Sequence, residues 1–462
     1  MARREPIQAR EYDYLITGSG GGNCHHLNKD EFTALREFVL ENRSDDEDNP
    51  RELMRLCSLR GAGEAIQLLN YVGVVELQDG TQIEILPKIE IAHGAEGEDR
   101  RVFLRMLREL GSSISFKSLN NARLMADRAP LFEVFVAMFI AEASSLVRTG
   151  LRSGYVARHS EEGFVRGKID FSREVKSGLA HAERIHVIHD EFLVDRPENR
   201  LVKTTLIYLR GASRSSENVR AIRRLLSVFE EVGRSHNVDA DFARCVRSRE
   251  TAAYQNLLSW SPVFLKHESF TTFSGQSVVS ALLFPMERVF EDYVGHVLRR
   301  TAYAEGRLNK VLLQAQSEWL FERKAPLRPD ILCECLGGRR VVLDTKWKRV
   351  TSERDLSTAD LYQMYAYGKR FATTDEQMQH VVLLYPWHKE ATRGLFREAR
   401  HTSNDGVQVD VFFVDLEDMD GSMQELLALI EDPQRLSDGV DKELRFEKRS
   451  RGRPCRTGTR AT

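Results

Sequence analysis

Residues 328–349 read RPDILCECLGGRRVVLDTKWKR, and this stretch restricts the fold more than any other. Two apolar runs flank a Gly-Gly pair, the pattern of a hairpin whose strands are buried. Asp330, Asp344 and Lys346 nevertheless sit at the outer ends of those runs. Side chains alternate across a strand, so Asp344 and Lys346 share a face. The placement of Asp330 depends on the connection. A three-residue loop over Leu336, Gly337 and Gly338 sets Asp330 opposite Asp344 with both carboxylates pointing the same way, whereas a two-residue turn sends them to opposite faces. Two carboxylates and an ammonium at such close quarters are costly in a core that only has to pack.

A divalent cation changes that balance. Hard oxygen ligands suit Mg²⁺, which keeps several waters and takes one or two protein carboxylates together with phosphate oxygens. Bound there, it would lower the pKa of a water and neutralise charge developing on a phosphodiester, while Lys346 orients the nucleophile or stabilises the transition state. The set therefore predicts the three-residue loop, Mg²⁺ as cofactor and hydrolysis of phosphodiesters as chemistry.

The surrounding pattern is mixed. A helix is expected over 284–306, then strands near 311–321, 328–336 and 339–346, a helix over 357–372, and strands at 380–386 and 407–416. Gln363 and Tyr367 are spaced i,i+4 on the second helix and share a face. Upstream, YVGVVELQDGTQIEILPKIEI (71–91) alternates on both sides of Asp79-Gly80, a dipeptide suited to a primed hairpin turn. Apolar residues recur at three and four over 98–150 and 198–232, which reads as helix, and the intervening GLRSGYVARHSEEGFVRGKIDF as strand and turn. The acidic ENRSDDEDNP (41–50) reads as a solvated loop. The expected architecture is α+β and multidomain: an N-terminal α/β region with the hairpin at 1–95, a mostly helical region at 96–250, a mixed α/β domain at 251–432, and a basic tail at 433–462.

The 462 residues suffice for two to four domains. With a net charge of −2 and a pI near 6.7, no field from the whole molecule draws in DNA or an anionic membrane. No apolar run reaches the length of a membrane span, the first residues lack the apolar core of a signal peptide, and the six cysteines form no disulfide framework or CxxC knuckle. These features predict a cytoplasmic protein with reduced thiols.

Pro329-Asp330 followed by Asp344-Thr345-Lys346 resembles the PD-(D/E)xK nuclease core, and Gln363 with Tyr367 resembles the Q-x-x-x-Y element of one branch of that superfamily. Three further stretches, IEILPKI (83–89), GLRSGY with VRGKIDF (150–171) and HDEFLVDRPENRLVK (189–203), extend the likeness. Together the motifs resemble the McrC family, the nuclease subunits of McrBC-type, 5-methylcytosine-dependent restriction systems. The resemblance implies a restriction-endonuclease-like core in which Asp330, Asp344 and Glu291 hold Mg²⁺. Glu287, one turn earlier on the same helix, competes with Glu291. It further implies that Lys346 assists the nucleophile, and that Gln363 and Tyr367 position substrate or brace the site. Its implied partners are double-stranded modified DNA and a hexameric McrB-like AAA+ GTPase that the subunit docks on and stimulates through its N-terminal part. Two alternatives stay open: a non-catalytic subunit that only activates the GTPase, and a stand-alone repair nuclease.

Other motifs carry less. GSGGGN (18–23) lacks the Gly-Lys-Ser/Thr ending of a phosphate loop, and neither Cys24-His25-His26 nor His181, His186 and His189 has zinc spacing. RGRP (451–454) in the tail matches a minor-groove arginine pair, though a nonspecific phosphate-binding tail, or a tail with no role, is the better reading of four residues. Asn199 and Arg200 follow DRPE, where Asp195 and Glu198 would favour the start of a helix.

Overall fold

The computed structural model describes residues 5–41, 53–77, 79–89, 97–109, 129–177, 184–245, 248, 251–265, 280–315, 318–322, 324–371, 379–391 and 393–433. The acidic stretch at 41–50, apart from Glu41, and the tail with RGRP lie outside them. The chain is a mixed α+β protein of two compact units. One comprises Met1–Lys88 with Phe103–Pro285, the other Ile89–Val102 with Met286–Thr462.

The first unit combines three sheets with a helical layer. In one four-stranded sheet Tyr71–Glu76 pairs antiparallel with Gln82–Leu86 and with Ser280–Pro285, and Ile7–Arg10 runs parallel to Gln82–Leu86. The loop in the 71–86 hairpin differs from the primed two-residue turn. Leu77 N–H donates to the Thr81 carbonyl, leaving a three-residue loop that ends at Gly80 with φ +82°. Asp79 fixes it by accepting the Thr81 N–H and hydroxyl at 2.9 and 3.0 Å, so its carboxylate serves the turn through a side-chain bond.

Helices Leu131–Thr149, Pro197–Ala212, Ser216–Val228 and Gln255–Leu265 bury Phe135, Phe139, Leu201, Leu206, Ile222 and Trp260. The helix after DRPE starts with Arg196 as N-cap and Pro197 at the first turn, without a side-chain cap. Asp195 instead binds Arg200 and the Gly233 N–H, and Glu198 pairs with Arg196. Asn199, fully buried, donates to the carbonyls of Arg152 and Val194 and accepts from the Tyr254 hydroxyl. That motif joins strand to helix.

The second unit carries Asp330, Asp344 and Lys346. Its ordered elements are helix α1 (Met286–Glu305), strands β1 (Leu308–Leu313), β2 (Glu318–Phe321), β3 (Lys324–Leu327), β4 (Ile331–Cys335) and β5 (Arg340–Thr345), helix α2 (Thr358–Phe371), strands β6 (Gln379–Pro386), β7 (Gly394–Thr402) and β8 (Val407–Val414), and helix α3 (Met419–Glu431). Six strands form one sheet in the order β1-β4-β5-β6-β8-β7. β1, β4 and β5 form an antiparallel meander, β5, β6 and β8 run parallel, and β7 returns antiparallel at the edge.

This mixed order explains the sequence pattern. The parallel strands β6 (QHVVLLYP) and β8 (VQVDVFFV) are near-continuous apolar runs because helices cover both faces. On one face Met364, Tyr367 and Phe371 of α2 pack with Val342, Val381 and Leu383. On the other, α1 approaches so closely that a Cβ on Gly295 would lie 2.7 Å from Leu313 and 3.6 Å from Ile331. The buried Asp410 of β8 is neutralised by Arg400 at 2.5 Å and hydrogen-bonded to His380 at 2.8 Å, so this charge inside the sheet is paired and hydrogen-bonded.

Candidate active site

The site is built on the β4-β5 hairpin. Ile331 pairs with Leu343, Leu332 with Val342, Cys333 with Val341 and Glu334 with Arg340. Beyond Glu334 the Cys335 N–H donates to the Arg339 carbonyl, so Leu336, Gly337 and Gly338 form a three-residue loop. Gly338 has φ +81°, the left-handed residue that such a loop needs at its end. Continued one step, the ladder sets Asp330 opposite Asp344.

Asp330 leaves the ladder at the end of β4 and caps β5. Its Oδ2 accepts both the backbone N–H and the hydroxyl of Thr345, each at 2.7 Å. Asp344 points to the α2 face and is 1% exposed. Lys346 lies 2.5 Å from Asp344 Oδ2, and its ammonium also donates to Gln363 Oε1 at 3.1 Å. Gln363 Nε2 donates to the Tyr367 hydroxyl at 2.8 Å, and that hydroxyl donates to the Arg328 carbonyl at 3.1 Å. The i,i+4 pair on α2 thus forms a hydrogen-bonded chain from Lys346 back to the segment before β4 that carries Asp330.

Glu291, on α1, lies within electrostatic reach of Asp330, and its Oε1 accepts from Gln314 Nε2 at 2.8 Å. Glu287 is exposed. The electrostatics show how tightly the acids crowd. Burial, then the charge of Asp330, raises the pKa of Asp344 to about 7 despite the opposing pull of Lys346. The same two causes raise Glu291 to about 7. Asp330 is itself raised by burial, which outweighs the bonds from Thr345 and the charges of Lys346 and Arg328. Lys346 is raised because its acidic neighbours outweigh its own burial. Tyr367 is pushed up to about 12, by burial first and then by Asp344.

Five participants carry no role in the sequence reading. Thr345 holds Asp330. Asp360, in the first turn of α2, pairs with Lys348 at 3.0 Å and adds negative charge beside Asp344. Gln314 and Arg328 flank Glu291 and Asp330. Lys348 and Asp360 could have been found, one lying two residues beyond Lys346 and the other three before Gln363; nothing local marks Gln314.

Among the described residues, no three His, Cys, Asp or Glu side chains gather closely enough to hold an ion as they stand. The residues that could contribute oxygen ligands are Asp330, Asp344 and Glu291. Asp344 Oδ2 is buried and has no aligned hydrogen bond even with the Lys346 ammonium alongside.

The fold and site define a multidomain α+β protein with a carboxylate–carboxylate–lysine cluster at the end of a mixed sheet. A family model described as McrBC 5-methylcytosine restriction system component matches residues 66–386, more than half of the chain. The chain belongs to that family. Among solved structures it is similar to the refined half-complex from the tetradecameric assembly of Thermococcus gammatolerans McrB AAA+ hexamers with bound McrC, at 19% identity and a TM-score of 0.60, covering 91% of this chain and 100% of that one. A second match is the cryo-EM structure of the Thermococcus gammatolerans McrBC complex, at 21% identity and a TM-score of 0.45, covering 64% of this chain and 88% of that one. None of the curated proteins matches. Among the described residues no helix is long and apolar enough to cross a membrane.

Proposed function

We propose that the chain is the Mg²⁺-dependent DNA endonuclease subunit of a modification-dependent restriction complex, with a PD-(D/E)xK core. The observation that carries this reading is the continuity of the cluster. The charge of Asp330 acts on Asp344, and Lys346 is held between Asp344 and the Gln363-Tyr367 chain. A cluster that served only packing would leave like charges crowded in a dry setting without compensation.

Asp344, Asp330 and Glu291 would hold the metal. They fit Mg²⁺ in kind, as hard carboxylate oxygens whose mutual repulsion a divalent cation offsets, and Asp344 Oδ2, buried against the Lys346 ammonium without an aligned hydrogen bond, is an oxygen such an ion would satisfy. When bound, the ion supplies an activated water and neutralises charge on the phosphodiester. The protein's own part is positional. Thr345 fixes one carboxylate oxygen of Asp330. Gln363 and Tyr367 fix the Lys346 ammonium where it can meet an attacking oxygen or a developing phosphorane charge.

The partner in this reading is an AAA+ GTPase that recognises modified DNA and whose hydrolysis this chain stimulates. The Thermococcus assembly of McrB AAA+ hexamers with bound McrC supports it through the shared fold, and the near-neutral charge suits a nuclease delivered by a partner. The test is a Mg²⁺ titration of cleavage of a 5-methylcytosine-containing duplex by the full chain with its GTPase partner and GTP. Cleavage is expected to be absent in EDTA, to return with Mg²⁺, and to be lost in Asp330→Ala. Undiminished cleavage in EDTA would overturn the reading.

A further inference from the structure

Gln314 stands just beyond β1 with φ +49°, one of three non-glycine residues with positive φ among the described residues. For a side chain other than Gly, Asn or Asp this conformation is strained, and such strain persists where the surroundings over-determine it. The surroundings here are the candidate site. The turned backbone directs the Gln314 N–H to the Asp330 carbonyl at 2.8 Å. Its side chain then bridges two charged groups, receiving Arg328 on Oε1 at 2.6 Å and donating from Nε2 to Glu291 Oε1 at 2.8 Å. The orientation of the amide is dictated. A guanidinium can only donate, so the oxygen faces Arg328 and the NH₂ must face the carboxylate.

We propose that Gln314 is a positioning residue of the site, holding Glu291 beside Asp330 as a third carboxylate ligand for a divalent cation. Three bonds converge on this one residue, to the backbone carbonyl of Asp330, from Arg328 two positions earlier in the chain, and to Glu291 on α1. It ties α1 to the segment that carries Asp330, which the β-ladder alone does not do. The bond to Glu291 also favours the ionised carboxylate, opposing the burial that pushes its pKa up. The proposal rests on the metal-dependent reading above.

The experiment measures Mn²⁺ alone binding to the purified full chain by EPR titration, without DNA, alongside thermal melting of the metal-free protein. Two variants remove the amide in different ways. Gln314→Gly releases the backbone strain, and Gln314→Met keeps the length and bulk of the side chain. Loss of a partner that orients a metal ligand typically weakens affinity by about 10–100-fold. Both variants are expected to bind Mn²⁺ at least about tenfold more weakly, with Gln314→Gly melting at or above the wild type. Wild-type affinity in both variants, with weakened binding in Glu291→Ala, would overturn the role of Gln314 and leave the metal site standing. Weakened binding that always accompanies a lower melting temperature would assign Gln314 to the framework and also overturn it. Wild-type affinity in Glu291→Ala and Asp344→Ala as well would instead remove the metal-site reading.

Discussion

Asp344→Asn should make the metal-free protein more stable at pH 8 while abolishing cleavage. Asp344 is almost fully buried and its pKa is raised from 3.8 to about 7, by burial first and then by the neighbouring charge of Asp330. An acid whose folded pKa lies above its unfolded value is ionised at a cost in the native state. The cost is absent below the unfolded pKa, near 4, and grows until pH passes the folded pKa, near 7. Three pH units at 1.36 kcal/mol each set a ceiling of about 4 kcal/mol. That ceiling already includes the pull of Lys346; the amide reproduces the contacts of the protonated acid incompletely, so a net gain of about 1–3 kcal/mol is expected. Urea unfolding in EDTA, followed by tryptophan fluorescence, reads the second unit well, since Trp319, Trp347 and Trp387 are three of the four tryptophans. Wild type should gain stability from pH 8 to pH 6, with a shallower slope in the variant, and Mg²⁺ should flatten the wild-type slope by favouring the ionised acids. An Asp344→Asn protein less stable than wild type at pH 8 would refute the account of Asp344 as a charge held at a cost.

Tyr367→Phe removes the hydroxyl that joins Gln363 to the Arg328 carbonyl; it should cost about 1–2 kcal/mol in urea unfolding and slow cleavage about tenfold or more by freeing the partner of Lys346. Gly338→Ala meets no neighbouring atom, so its cost should be only that of the left-handed backbone, about 1–2 kcal/mol in the same assay. Asn199→Ala strands two carbonyls and a hydroxyl in the first unit and should lower stability by about 2–4 kcal/mol in thermal melts.

The parts of the site that sequence could reach were those fixed by local rules. Gly-Gly between two apolar runs, with acids required on one face, left the three-residue loop as the connection that brings Asp330 and Asp344 together. The i,i+4 spacing of Gln363 and Tyr367 put both on one helix face, the face on which Gln363 meets Lys346. The same reasoning read Asp79-Gly80 as a two-residue turn, because a dipeptide's tolerance of positive φ does not specify where the ladder stops; the Leu77–Thr81 bond does. The edge strand β7 escaped because its pairing with β8 is broken by a register shift between Phe396 and His401, which blurs alternation. Helix α3 carries a local signal in its sequence. Asp418 caps it by accepting the Gly421 N–H, ahead of an apolar run at helical spacing. Gln314 owes its place to contacts with residues 14 to 23 positions away in the chain and to its backbone angle, neither of which leaves a trace in local composition.

The most direct measurement follows two outputs at once in the complex of Asp344→Ala with the AAA+ GTPase: strand cleavage of a methylated duplex and stimulation of GTP hydrolysis. The account predicts that cleavage vanishes while GTPase stimulation stays at the wild-type level. Cleavage at the wild-type rate by that complex would contradict it.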